Sequence, residues 1–217
     1  MIQSPFLAAL RESYDTVADG YAATVPAPDA LDPLSRAVLD AFAELVRDGG
    51  PVADVGCGPG KVTAYLAGMG VPVFGVDLSP RMVELARTTH PGLRFEVGSM
   101  TSLDVGDGAL GGVLAFYSTH HIPPEELPGV LAEFHRTLAP GGRLLLVGRV
   151  GDAEHLHRTL SYGADSATFD SYRMPAERIA GLVERAGLVV TARLVQAYGE
   201  GTKSAVASLL AYKPGGS

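Results

Sequence analysis

The sequence predicts an α/β fold built on a doubly wound sheet of seven strands. Short apolar runs alternate with helix-length segments over residues 52–147, and glycines cluster directly after the first of these runs. Alternation at this spacing is typical of parallel strands whose connecting helices cover both faces of the sheet. The last two apolar runs have no helix between them, so we expect them to pair antiparallel and to make the sheet mixed.

Composition limits the classes of function. A chain of 217 residues that is 47% hydrophobic suits a single domain spanning residues 1–217. A net charge of −7 and the lack of any run of Lys and Arg argue against a nucleic-acid partner. Cys57 has no second cysteine for an intramolecular disulfide, and no apolar run is long enough to cross a membrane. We therefore expect a cytoplasmic monomer or homodimer.

The elements follow in chain order. Residues 1–28 are weakly helical, with an interruption at Gly20. Asp32 and Pro33 are typical of the cap and the first turn of a helix. The alternating region then predicts strands at residues 52–55, 71–76, 93–97, 111–117 and 143–147, and helices at residues 61–69, 80–90 and 125–138.

The C-terminal part departs from this alternation. It predicts a helix at residues 175–186, ended by Gly187, and then two strands at residues 188–197 and 204–212. Residues 149–174, between the fifth strand and this helix, are richer in His, Ser, Asp and Tyr than the core. We expect this short insert to form a lid or a substrate wall.

A glycine-rich loop follows the first predicted strand. Gly56, Gly58 and Gly60 allow a sharp turn and let a ligand touch bare backbone, and the N–H groups of the following helix suit a carboxylate or a phosphate. Asp77 ends the second predicted strand, where a carboxylate can accept hydrogen bonds from both hydroxyls of a ribose. Ser79 is the better helix cap, which leaves Asp77 available.

Three segments together resemble the class I S-adenosylmethionine-dependent methyltransferases. They are Val-Ala-Asp-Val-Gly-Cys-Gly-Pro-Gly, Val-Phe-Gly-Val-Asp-Leu-Ser-Pro-Arg-Met-Val-Glu-Leu-Ala-Arg and Leu-Ala-Pro-Gly-Gly-Arg-Leu-Leu-Leu, and the resemblance covers roughly residues 50–148. It implies a Rossmann-like fold, S-adenosyl-L-methionine as cofactor, and methyl transfer to an oxygen, nitrogen or carbon atom of a small-molecule acceptor.

The resemblance also implies roles for matching residues. The glycine loop would hold the methionine end of the cofactor, Asp77 the ribose, and Leu78 and Met82 the adenine. Ser99 stands where relatives often carry an acidic residue. The full set of implied cofactor contacts, including two tyrosines of an N-terminal lid segment at residues 1–28, is Tyr14, Tyr21, Asp54, Gly56, Cys57, Gly58, Gly60, Asp77, Leu78, Met82, Ser99, Met100, Phe116 and Tyr117.

The acceptor would meet the residues after the fourth strand and in the insert. A sulfonium methyl group is already activated, so the protein's main task is to align the reacting atoms, with a base only for a protonated acceptor. His120 and His121 are the candidate catalytic bases, or else they line the pocket. His155 and His157 lack a third ligand, so we expect no metal. The candidate substrate wall is Tyr162, Phe169, Tyr172, Arg173 and Met174.

Two other functions fit parts of the sequence. A nucleotide-cofactor oxidoreductase has the same strand–loop–helix entry. It typically has the spacing G-x-G-x-x-G, where this chain has G-x-G-x-G, and a longer parallel sheet. A non-catalytic adenosylmethionine-binding or regulatory protein would keep the same fold and the same glycine loop.

Overall fold

The structure, a computed structural model, describes residues 4–197 and 204–215. Its main sheet has seven strands in the order β3-β2-β1-β4-β5-β9-β8. The pairs from β3 to β5 are parallel, and β9 pairs antiparallel with both β5 and β8. The mixed, doubly wound sheet predicted from the sequence is therefore confirmed. The loop expected between the last two strands lies outside the described residues.

The helices and strands have the following bounds. The helices are α1 (Pro5–Thr24), α2 (Pro33–Val46), α3 (Lys61–Gly68), α4 (Pro80–Thr89), α5 (Leu127–Thr137) and α6 (Ala176–Arg185). The strands are β1 (Val52–Val55), β2 (Val73–Asp77), β3 (Phe95–Val97), β4 (Leu110–Phe116), β5 (Leu138–Gly151), β6 (Glu154–Tyr162), β7 (Asp165–Arg173), β8 (Val189–Ala197) and β9 (Ser204–Tyr212). None of the described helices combines the length and the apolar character needed to cross a membrane.

Both faces of the main sheet are covered. Successive side chains of a strand point to opposite faces, so Ala53 and Val55 pack toward α5 and α6, whereas Val52 packs toward α2. Phe134 of α5 and Phe42 of α2 are almost fully buried in these two cores. Burial on both faces explains why the parallel strands read as continuous apolar runs.

The helix caps follow the predicted chemistry. The side chain of Asp32 accepts hydrogen bonds from the backbone N–H groups of Leu34 and Ser35, each at 3.1 Å, and begins α2. Ser79 accepts from the N–H of Met82 at 3.1 Å and begins α4. Each bond satisfies an N–H group that has no partner inside its helix.

The interruption expected at Gly20 is absent, because α1 continues from Pro5 to Thr24. A glycine inside a helix costs only about 1 kcal/mol relative to alanine. That cost is offset by packing, since Val17 and Ala18 on the preceding turn are completely buried. The lack of a side chain at residue 20 also lets the backbone of Tyr162 approach α1 closely.

The insert at residues 149–174 adopts a structure that its composition does not reveal. β5 extends to Gly151, and β6 and β7 then form a separate two-stranded antiparallel hairpin. Gly163, with a φ of 66°, lies in the two-residue turn between the strands. Below, "the hairpin" means residues 154–173.

Candidate functional site

One large cavity, of about 770 Å³, lies at the carboxyl ends of β1 and β4. The chain winds from β1 to β2 and β3 in one direction, whereas β4 lies on the other side of β1. Ligands of open α/β sheets bind in the crevice that such a reversal creates. The loop after β1, the loop after β4, α1 and the hairpin all contribute to its walls.

The loop after β1 is held in a conformation that favours glycine. Gly56, Gly58 and Gly60 have φ values of 78°, 53° and 81°, all in the left-handed region. A Cβ at residue 56 would also lie 3.0 Å from the hydroxyl of Ser118. Both the positive φ and this close contact therefore favour glycine at residue 56. Gly60 does not border the cavity, because its missing side chain makes room for the ring of Phe95.

The backbone amides of this loop donate to groups of the protein itself. The N–H groups of Gly56 and Cys57 both donate to the carbonyl of Val76, and that of Gly60 donates to Cys57. The N–H of Gly58 donates to the Asp77 carboxylate at 2.8 Å. These amides therefore fix the loop itself, and the loop offers a ligand mainly its bare backbone surface.

Asp77 is partly buried at the end of β2 and lines the cavity. Its Oδ2 accepts from Gly58 and its Oδ1 accepts from the N–H of Ser79 at 2.9 Å. Burial raises the pKa of this carboxyl, against the lowering effect of nearby backbone amides. A carboxylate has about four acceptor positions, so two backbone bonds leave it able to accept from a pair of ligand hydroxyls.

Asp54 connects the floor of the cavity to α3. Its side chain is 1% exposed and accepts a hydrogen bond from the hydroxyl of Thr63 at 2.6 Å. Burial raises the pKa of Asp54 to about 7, although the hydroxyl and the N–H of Thr63 both lower it. Asp54 therefore positions the start of α3 beside the glycine loop.

α1 is fixed to α4 by two carboxylates. Asp15 accepts from the hydroxyl of Ser79 at 2.5 Å and from the N–H of Arg81 at 3.2 Å. Asp19 forms a bidentate ion pair with the guanidinium of Arg81. These contacts place the N-terminal helix across the cavity beside Asp77.

α1 is also fixed to the hairpin, through His121. The hydroxyl of Tyr14 lies 2.8 Å from Nε2 of His121, whose Nδ1 lies 2.7 Å from the backbone oxygen of Asp170. A carbonyl only accepts, so Nδ1 carries the proton and Nε2 accepts from Tyr14 in the neutral ring. Two turns further along α1, the ring of Tyr21 packs edge-on against Tyr162 at 5.2 Å between centroids.

The two candidate bases differ in their partners. Burial lowers the pKa of both His120 and His121, so both rings are neutral near pH 7. Both nitrogens of His121 are engaged by Tyr14 and Asp170, whereas Nδ1 of His120 is buried and has no partner among the described residues. The two rings are in contact, with centroids 4.1 Å apart.

The remaining expected residues are brought together, with a few differences. Tyr172 borders the cavity, but its ring stacks on His155 on the other face of the hairpin. Met174 is buried in the core instead of lining the cavity. The hydroxyl of Ser99 is bonded to Thr101 at 2.8 Å. The other expected residues at the cavity are Leu78, Met82, Met100, Phe116, Tyr117, Phe169 and Arg173.

Three of these residues have distinctive environments. Tyr117 has a φ of 52°, uncommon for a residue with a side chain, at the sharp exit from β4. Met82 is almost fully buried beneath the cavity. Cys57 is buried, and burial raises the pKa of its thiol, so it stays protonated and unreactive.

Several cavity residues were missed by sequence reasoning. Arg149 and Arg158 lie at the hairpin end, Asp32 lies at the start of α2, and Lys61 lies at the start of α3. Alternate side chains of β6 face the cavity, and this two-residue period is the sequence pattern that could have indicated Arg158. His155 and His157 contact Asp170 on the exposed face, and within residues 4–197 and 204–215 no three potential ligands form a metal site.

Comparison with known protein families identifies the central part of the chain. Residues 52–142 match the family described as methyltransferase domain. The chain is 36% identical over 111 residues to the demethylmenaquinone methyltransferase of Beutenbergia cavernae, an alignment that covers 51% of this chain and 45% of that protein. The chain spans about half the length of the first curated relatives that it matches.

Two solved structures share the fold. The 1,6-didemethyltoxoflavin-N1-methyltransferase of Burkholderia thailandensis, solved with 1,6-didemethyltoxoflavin and S-adenosylhomocysteine, has a TM-score of 0.67 and 21% identity, covering 99% of this chain and 92% of that one. The [4+2]-cyclase SpnF has a TM-score of 0.73 and 19% identity, covering 95% and 96%. Because one is a methyltransferase and the other a cyclase, the shared fold does not specify the reaction.

Proposed function

We propose, from the chain's membership of the class I S-adenosylmethionine-dependent methyltransferases, that it binds S-adenosylmethionine and transfers its methyl group to a small-molecule acceptor. The observation that carries this proposal is the pairing of the glycine loop with Asp77 at the reversal point of the sheet. An adenosyl cofactor needs backbone that it can approach closely, without intervening side chains, and an acceptor for its ribose hydroxyls. The cavity has both.

The residues present fit the cofactor. Gly58 presents its α-carbon toward the cavity, and a Cβ there would approach the ring of Tyr21. Asp77 keeps two acceptor positions for the ribose, and Leu78 and Met82 supply an apolar surface for the adenine. Lys61 donates to the carbonyl of Val25 at 2.6 Å, which leaves two of its three donors for the methionine carboxylate.

The acceptor would enter at the hairpin end of the cavity. The bound cofactor supplies a methyl group on a positively charged sulfur, which needs alignment rather than activation. His120 is the residue able to take a proton from the acceptor, since its ring is neutral and its Nδ1 has no partner among the described residues. His121 is bonded on both sides, so we assign it to positioning α1 and the hairpin.

The proposed function also has implications for domain organisation, lids, location and oligomeric state. We propose that residues 1–217 act as a single domain, that α1 and the hairpin serve as lids, and that the protein works in the cytoplasm as a monomer or homodimer without nucleic acid. The acidic net charge supports the last point. The antiparallel pairs of β9 and the loop spacing favour this function over a nucleotide-cofactor oxidoreductase.

Calorimetric titration of the purified protein with S-adenosylmethionine, and in parallel with NAD, tests the proposal. We expect micromolar binding of the first and none of the second. Asp77→Ala should weaken adenosylmethionine binding by at least about tenfold, as loss of charge-assisted hydrogen bonds to the ribose predicts. Asp48→Ala, at an exposed loop carboxylate, is the matched control. Folded wild-type protein that binds no adenosylmethionine would overturn the proposal, and unchanged binding by Asp77→Ala would overturn the ribose assignment.

A further inference from the structure

The acceptor end of the cavity has a composition unlike that of the rest of this acidic chain. Antiparallel pairing aligns Arg158 with Phe169 and Leu156 with Ser171, so these side chains share the hairpin face that borders the cavity. Arg173 pairs with Glu154 on the same face. The opposite face carries the histidines that contact Asp170. Two arginines therefore project among apolar side chains on the cavity side.

A third arginine completes the group. Arg149, near the end of β5, borders the cavity; its charge adds to the burial and the neighbouring His121 that lower the pKa of His120, and opposes the rise that burial causes in the pKa of Tyr162. Within residues 4–197 and 204–215, no carboxylate lies within ion-pairing distance of Arg149 or Arg158. Cations that border a cavity without such neighbours are available to a ligand of opposite charge.

Arg173 is the most buried of the three. Its side chain is 14% exposed, and its Nη1 reaches Glu154 only at 3.6 Å. Its Nε is buried and has no hydrogen-bond partner among the described residues, as is also true of Nδ1 of His120. Leaving a buried donor unpaired is costly, so the protein alone satisfies the guanidinium of Arg173 incompletely, which favours a ligand that supplies acceptors to this side chain.

Two carboxylates and the three arginines line different parts of the cavity, with Lys61 near the carboxylates. Asp54 and Asp77 lie at the end assigned to the cofactor, and the three arginines lie at the hairpin end. Leu156, Leu160 and Phe169 stand beside the arginines. Such a wall suits a molecule that has both an apolar body and a negative group.

We infer that the acceptor is an apolar or aromatic molecule bearing a carboxylate, and that Arg149, Arg158 and Arg173 bind this carboxylate. The inference rests on the proposed function, because it identifies the class of molecule that would receive the methyl group. Arg173, with its buried Nε, forms the inner contact, and the two exposed arginines complete the binding of the negative charge.

Pairs of ligands that differ only in charge test this inference. The probes are 4-hydroxybenzoate against 4-hydroxybenzamide and 2-naphthoate against 2-naphthamide, with dissociation constants measured by ligand-observed NMR. Each pair is titrated into the protein with and without S-adenosylhomocysteine, whose binding is first measured by calorimetry. We expect each acid to bind at least about tenfold more tightly than its amide, as a charge-assisted bond to arginine predicts.

Arginine variants identify the source of the preference. Arg173→Gln should reduce the ratio of acid to amide affinity to about twofold or less while leaving amide affinity unchanged. Arg149→Gln and Arg158→Gln change exposed side chains and serve if Arg173→Gln does not fold. Arg193→Gln, an exposed arginine of β8 paired with Glu177 at 3.4 Å, is the control and should leave the ratio unchanged.

The possible results separate the two proposals. Equal binding of acids and amides, no saturable binding of any acid, or an unchanged ratio in all three arginine variants would overturn the carboxylate inference. Failure of the wild type to bind either S-adenosylmethionine or S-adenosylhomocysteine would instead overturn the proposed cofactor. The ratio measured without S-adenosylhomocysteine still decides the anion site in that case.

Discussion

Replacing Gly20 with alanine should separate α1 from the hairpin. An added Cβ would lie 2.6 Å from the carbonyl carbon of Tyr162 and closer still to its oxygen. The obstacle is backbone at the tip of β6, so no rotation of a side chain relieves the contact. The helix and the hairpin must move apart, which disrupts the edge-on packing of Tyr21 against Tyr162.

One stabilising and two destabilising contributions determine the change in the free energy of unfolding. Alanine in a helix interior is favoured over glycine by about 1 kcal/mol. Overpacking of this kind costs about 1–3 kcal/mol, and loss of an aromatic pair costs about 0.5–1.5 kcal/mol. We therefore expect Gly20→Ala to lower the free energy of unfolding by roughly 1–3 kcal/mol. It should also weaken adenosylmethionine binding, because Tyr14 and Tyr21 are carried on the same helix.

Gly129→Ala is the matched control. This glycine lies in α5, is exposed, and has nothing within 4 Å of the position of an added Cβ. Only helix propensity acts there, so the substitution should raise the free energy of unfolding by up to about 1 kcal/mol. Urea denaturation of both variants measures the two values. If Gly20→Ala stabilises the protein as Gly129→Ala does, the close approach of α1 and the hairpin is wrong.

Two further predictions concern the titratable groups. Burial raises the pKa of Asp54 to about 7, so the folded protein keeps a proton that the unfolded chain loses near pH 4. The free energy of unfolding should therefore fall between about pH 4 and pH 7, by up to about 4 kcal/mol. Urea denaturation across this range should show a smaller fall for Asp54→Asn, and an equal fall would contradict the assignment. For the histidines, His121→Ala should cost about 1–3 kcal/mol by leaving Tyr14 and the Asp170 carbonyl without a partner, whereas His120→Gln should cost less but lower the rate of methyl transfer and remove its fall at acidic pH, where the base becomes protonated. Equal destabilisation with unchanged pH profiles would refute that division of roles.

The meeting of the glycine loop with Asp77 could be predicted from sequence because its determinants are local. Gly56, Gly58 and Gly60 are required by positive φ values in one loop, and Asp77 ends the neighbouring strand. Both features lie at the ends of strands whose apolar runs are unambiguous. The glycine pattern does not, however, show that the loop amides bond to Val76, Cys57 and Asp77. Which partner an amide chooses depends on the neighbouring strand.

The acceptor end was less predictable because its determinants are distant in sequence. The hairpin strands do not read as strands, because one face carries histidines and threonines and the other alternates apolar side chains with arginine. His121 forms one hydrogen bond with Tyr14, near the start of the chain, and another with the backbone of Asp170, which is distant in sequence. Adjacent identical residues, His120 and His121, therefore acquire different roles that no local pattern distinguishes.

The division between the two ends has a consequence for specificity. The family match ends at residue 142, so it contains the glycine loop, Asp77 and both candidate histidines, but none of the three arginines. It also excludes Tyr14 and Tyr21 on α1. The same fold serves a methyltransferase and a cyclase among solved structures. Under the carboxylate inference, the choice of acceptor rests on the end of β5 and the hairpin, and we expect variation in these two segments to change the substrate while leaving cofactor binding intact.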